Sequence, residues 1–109
     1  MNDYSQIKEE AYLANMQIAK NKLAICTFGN ASAADQNKDI FAIKPSGVDY
    51  ENLSVEKMVV VDFNGTIVDG NLRPSSDTKT HAVLYKNWKK LGGIVHTHST
   101  YATSWAQAQ

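Results

Sequence analysis

His96 and His98, two of the chain's three histidines, stand two residues apart in the stretch GGIVHTHST. On a strand, residues i and i+2 point to one face, about 6–7 Å apart. Their imidazoles can therefore converge on a single cation, and neutral imidazole suits zinc and other divalent transition ions. Two ligands fall short of a catalytic zinc site, which needs three protein ligands and an open position. A pair of structural histidines at a strand end satisfies the same spacing.

A third candidate ligand is Asp77 in RPSSDTKTH, at the expected start of a helix, where the dipole favours negative charge. The same position suits an ordinary N-terminal helix acid. His81, one turn on, is a ligand, a donor to a ligand, or, in the commoner use, a packing residue of the helix face. The loops FGNAS and KPSGVDY carry small residues with amides and hydroxyls open to an anion. Gly29 before Asn30 and Gly47 after Ser46 let backbone N–H groups approach it closely. Ser75 and Ser76 add the same chemistry at a helix N-terminus. Each loop alone is a common turn. Together they compose a phosphate-plus-metal pocket, provided the fold brings them to one place.

The elements that must do so can be read in outline. Asp3 and Gln6 resemble a capping box, and Ile7, Ala11, Ala14 and Ile18 mark the buried face of a helix fading near Asn21. Five extended segments follow: LAICTF, ASAAD, DIFAIK, KMVVVDF and TIVDG. Breaks at Gly29-Asn30, QNKD and Asn64-Gly65 separate them, the last a two-residue hairpin signal, so this region is expected to be an antiparallel sheet. Ser75 or Ser76 caps a helix through DTKTHAVLYKNWKK, with Leu84 and Trp88 on one face and Gly92-Gly93 ending it. GIVHTH then forms a buried strand, and Ser99 caps a last helix, TYATSWAQAQ, whose pattern looks cut in mid-course. With no linker or repeat, the 109 residues read as one unit.

Composition narrows the partners. Eleven basic residues balance eleven acidic ones, and both are scattered, so no nucleic-acid partner is expected. Lys86, Lys89 and Lys90 read as a solvated helix end. The polar start lacks a signal peptide's basic and apolar regions, and no apolar run approaches the ~20 residues that span a bilayer. No membrane partner is expected either. Cys26, alone in LAICTF, reads as a buried core thiol in a reducing cytoplasm.

Taken in order, FGNAS, IKPSGVDY, RPSSDTKTH and GGIVHTHSTYATSWAQA resemble the class II aldolase/epimerase family, especially its pentulose-phosphate 4-epimerases. The likeness runs almost from end to end of the chain. It implies an α/β fold, an α/β/α three-layer sandwich with a largely antiparallel central sheet. Residues 1–109 would be the N-terminal portion of a single such domain. It also implies a homotetramer that holds zinc or another divalent metal ion and acts on a phosphorylated pentulose. Carried over by position, Asp77, His96 and His98 become metal ligands. Gly29, Asn30, Lys44, Ser46, Gly47, Ser75 and Ser76 become substrate- and phosphate-binding residues.

The reaction implied is conversion of L-ribulose 5-phosphate to D-xylulose 5-phosphate by retro-aldol cleavage and re-addition, with zinc polarising the C2 carbonyl. Aspartate at 77, where related aldolases carry glutamate, and Lys44 both fit the epimerase pattern. Family members are roughly twice this length, on the usual domain scale. Their third histidine ligand and their acid/base Asp and Tyr fall beyond Gln109. The 109 residues alone are therefore expected to bind metal weakly, to turn over little or no substrate, and to expose a sheet edge. A class II sugar-phosphate aldolase, or a truncated, non-catalytic interaction module, is the alternative.

Overall fold

The structure, a computed structural model, describes residues 4–20 and 30–96. Asp3, Gly29, the segment with Cys26, His98 and the expected last helix lie outside the described residues, so the expectations placed on them go no further here.

Helix α1 spans Ser5–Lys20 and buries Ile7, Ala11, Asn15 and Ile18. The expected face is present except at Ala14, which is half-buried while its neighbour Asn15 is fully buried. A polar side chain survives there because it is hydrogen-bonded. Asn15 Nδ2 donates to Ala11 O at 2.7 Å and to Ala31 O at 2.9 Å, and its Oδ1 accepts from Ala31 N–H at 2.9 Å.

Among the described residues five strands form one antiparallel sheet: β1 Asn30–Asp35, β2 Ile40–Ile43, β3 Val59–Asp62, β4 Ile67–Asp69 and β5 Gly93–His96. Their order is β4-β3-β2-β1-β5. Strand alternation sorts the side chains into two cores. Ala33, Ile40, Ala42 and Val60 face α1, packing on Ile7 and Ala11 with Leu53 and Met58. Phe41, Ile43, Val59 and Val61 face the other way, onto Ala82 and Tyr85 of helix α2, Thr78–Asn87, with Phe63. The result is the expected three-layer α/β/α arrangement. Strands β2 and β3, covered on both sides, are apolar without alternation.

Several local expectations are corrected. Asn30 is not a break but the first residue of β1. The β3–β4 connection is the four-residue segment Phe63–Thr66, with Asp62 N–H donating to Thr66 O at 2.9 Å. Asp62 Oδ1 accepts from the Asn64 and Thr66 amides, Gly65 takes φ 90°, and Asn64-Gly65 is part of this longer connection rather than a two-residue turn. Helix α2 buries Thr78, His81, Ala82 and Tyr85, not a Leu84/Trp88 face; Trp88 is 61% exposed.

α2 also ends at Asn87, well before Gly92-Gly93. Gln36 explains the early stop. Its Nε2 lies 3.2, 3.0 and 2.9 Å from the carbonyls of Tyr85, Trp88 and Leu91, drawing the helix end and the following turn onto the β1–β2 connection. Gly92 and Gly93 instead lead into β5, where Ala34 N–H donates to Gly92 O at 2.9 Å. That strand is less covered than its apolar sequence suggests: Val95 is 41% exposed, because α1 lies over β1 and β2. Lys86, Lys89 and Lys90 are exposed, as expected. No helix of the described residues is long and apolar enough to cross a membrane.

Candidate functional site

Pairing of β1 with β2 ends at Ser32 and Ile43. Beyond it the chain at Lys44 leaves β1 and meets the segment preceding α2. Pro45 and Pro74 face one another in an antiparallel bridge. Neither proline has an N–H, so the flanking serines make the bonds. Ser46 N–H donates to Arg73 O at 2.8 Å and Ser75 N–H to Lys44 O at 3.1 Å. Asn15, through the bonds described above, occupies the Ala31 backbone that β2 no longer reaches. The PSG and PSSD loops are thereby joined beside the start of β1.

Asn30 is 4% exposed and uses both amide hydrogens, Nδ2 donating to Ser75 Oγ at 3.1 Å and to Asp77 Oδ2 at 2.7 Å. An acceptor-only carboxylate fixes which way the amide points. Asn30 Oδ1 is buried and has no hydrogen-bond partner among the described residues. Ser75 Oγ also accepts from Asp77 N–H at 3.1 Å, and Ser75 O accepts from Thr78 N–H and Thr78 Oγ1 at 3.0 and 2.6 Å. Asp77 holds the N-cap position of α2 yet makes no capping bond with its side chain. With Ser75 engaging the first amides, the Asp77 carboxylate turns to Asn30 instead. His96 is the backbone partner of Asn30 across β1 and β5. Asn30 therefore adjoins both His96, through the strand ladder, and Asp77, through its side chain.

Lys44 is 2% exposed, its Nζ 3.5 Å from Pro45 O and 5.1 Å above the Tyr50 ring centroid. Burial pushes its pKa below 10.5, opposed by the nearby Asp49 carboxylate. Burial likewise pushes the Tyr50 phenol up to about 12. Ser46, Gly47 and Ser76 are exposed, and Gly47 takes φ 76° with nothing within 4 Å of a would-be Cβ. The sequence suggested open amides throughout these loops. Ser46 and Ser75 correct this, because their amides are engaged in the bridge.

A second row of contacts runs parallel to Asn30–Asp77. Ser32, two residues along β1, places Oγ 2.6 Å from His81 Nδ1 and 2.7 Å from the Tyr85 hydroxyl, with all three residues buried. Burial raises the Tyr85 pKa, partly offset by hydrogen bonds from Ser32 and the Ile94 backbone. His81 is thus a buried packing residue of α2, its commoner expected role. Sequence reasoning missed Ser32, Tyr85 and Tyr50. The i, i+2 spacing of Asn30 and Ser32 in NASAAD was the available signal for the first.

Asn30, Ser75 and Asp77 are joined by side-chain hydrogen bonds, and His96 pairs in register with Asn30. The Pro45–Pro74 bridge ties the backbone of Lys44 and Ser46 to that of Ser75 and Arg73, and Gly47 and Ser76 are neighbours of these residues in the chain. Among the described residues no group of three or more His, Cys, Asp or Glu side chains is placed to hold a metal.

Residues 9–109 match the Class II Aldolase and Adducin N-terminal domain. The chain belongs to that family. It is 52% identical over 103 residues to the L-ribulose-5-phosphate 4-epimerase UlaF of Salmonella paratyphi B, covering 94% of this chain and 45% of that protein. Its fold matches an L-fuculose 1-phosphate aldolase with TM-score 0.83 and 34% identity, over 94% of this chain and 48% of the other. YgbL of Klebsiella pneumoniae shares the fold at TM-score 0.79 and 24% identity. The chain spans about half the length of the proteins it matches.

Proposed function

We propose that this chain is the N-terminal portion of a single class II aldolase domain that, in its full-length form, epimerises L-ribulose 5-phosphate to D-xylulose 5-phosphate. The observation that carries the reading is the Asn30–Ser75–Asp77 cluster joined to the PSG loop. It holds the Asp77 carboxylate by the Asn30 amide, and the Pro45–Pro74 bridge ties this cluster's segment to the loop that carries exposed Ser46 and buried Lys44. The 52% identity to UlaF supports the choice of reaction.

Asp77 offers a carboxylate that accepts from the Asn30 amide, His96 pairs in register with Asn30, and His98 stands two residues beyond His96 in the sequence. A carboxylate and two imidazoles fit zinc or another divalent ion. Bound there, the metal would polarise the substrate's C2 carbonyl. Asn30 fixes the Asp77 carboxylate. Exposed Ser46, Gly47 and Ser76 and the α2 N-terminus receive the phosphate, and Lys44 contributes positive charge. Cleaving C3–C4 and rejoining it on the other aldehyde face inverts C4. A cytoplasmic homotetramer is the assembly proposed, in keeping with the single cysteine and the family resemblance.

The test is turnover of L-ribulose 5-phosphate by the full-length protein, with bound metal measured. D-xylulose 5-phosphate as product, and loss of metal and turnover in Asp77→Ala, support the reading. Free aldehyde as the dominant product moves the protein to the aldolases, a choice favoured by the fuculose-phosphate aldolase match. Absence of both metal and turnover leaves the non-catalytic module.

A further inference from the structure

Lys44 is buried, yet no carboxylate among the described residues lies within ion-pair distance of it, Asp49 acting on it only from farther off. An ammonium carries three donors, and burying one without compensation is costly. The compensation is unusual. Pro45 O lies at 3.5 Å, the limit of a hydrogen bond, and the Tyr50 ring lies within cation–π range at 5.1 Å. Tyr50 begins a single 3-10 turn, Tyr50–Asn52, immediately after the loop. The φ 76° turn at Gly47 lies between the two residues.

A carboxylate in the ring's place would also hold the ammonium. It would neutralise the charge as well and repel an incoming anion. An aromatic face attracts the cation without bringing net charge, and it engages no N–H in a hydrogen bond. We propose that Tyr50 is a positioning residue: its ring holds the Lys44 ammonium at the root of the PSG loop, ready to donate to an anionic oxygen of the phosphorylated substrate. This rests on the reading of Lys44 as a substrate-binding residue.

The experiment is NMR of the full-length protein labelled at the lysine ε-carbon and titrated with inorganic phosphate. Amide spectra verify the fold of each variant. In the unsubstituted protein the Lys44 ε-protons lie upfield from the ring current, and they shift saturably with phosphate. Tyr50→Leu removes the upfield shift and weakens phosphate binding by about 2–5-fold, as a cation–π contact predicts. Tyr50→Phe keeps both, and in a Lys44→Met background Tyr50→Leu has no further effect on phosphate binding. Unchanged affinity in Tyr50→Leu, equal loss in Tyr50→Phe, or the same loss in the Lys44→Met background overturns the inference alone. No phosphate response at Lys44 in the unsubstituted protein overturns the substrate-binding reading of Lys44, and the inference with it.

Discussion

The Asn30 side chain donates to the Asp77 carboxylate at 2.7 Å across 47 positions of sequence. It links the first residue of the sheet to the first turn of α2, and its second hydrogen goes to Ser75. Asn30→Ala leaves the half-buried Ser75 and Asp77 oxygens without that donor and should lower unfolding free energy by about 1–3 kcal/mol. Asn30→Asp should cost more, because one carboxylate then faces another. Urea unfolding of the two variants checks the order, and added salt should narrow the gap. An Asp variant as stable as the Ala variant would show that the amide is not facing Asp77.

Ser32 serves His81 and Tyr85 with one oxygen. Ser32→Ala takes one hydrogen bond from each, for an expected loss of about 1–3 kcal/mol. Once Tyr85 is already Phe, the same change should cost less, since one of the two bonds is gone. A double-mutant cycle in urea measures the difference, and strict additivity would contradict the shared contact.

Gly47 holds φ 76° in open space. Gly47→Ala should therefore lose stability through backbone conformation alone, by about 1–2 kcal/mol, with no steric clash to relieve. A valine should fare worse than alanine, as β-branched residues tolerate this region least. Thermal unfolding ranks the pair, and equal midpoints for glycine and alanine would refute it.

Burial holds the Lys44 pKa below 10.5, so the unfolded chain binds that proton more tightly than the folded one. The charge costs stability fully below the folded-state pKa. That cost fades as pH rises from there towards 10.5, where the unfolded chain also loses the proton. Lys44→Met should accordingly be more stable than the parent at neutral pH, with an advantage that shrinks in alkali. Urea midpoints from pH 7 to 10.5 test this; a constant advantage would assign the effect to packing.

The layers were legible because they rest on periodicity. Ile7, Ala11 and Ile18 mark a helix face, and the valines of β3 mark a doubly covered strand. What escaped depended on distant polar partners. Nothing local shows that Gln36 draws in the carbonyls that end α2, so the glycine pair at 92–93 looked like the stop. Asn15 had no signal in the sequence because its partner, Ala31, lies sixteen residues away. That PSG and PSSD lie in loops was readable from the sequence. The engagement of their serine amides was not, since it depends on a bridge between segments about thirty residues apart in the chain.

That bridge has a mechanical consequence. Two opposed prolines leave the seam with one stitch on either side and no means of adding a third between them. The PSG and PSSD loops therefore part only if both stitches break, and hydrogen exchange at the Ser46 and Ser75 amides would proceed at a common rate. Two loops far apart in the chain thus behave as one moving part.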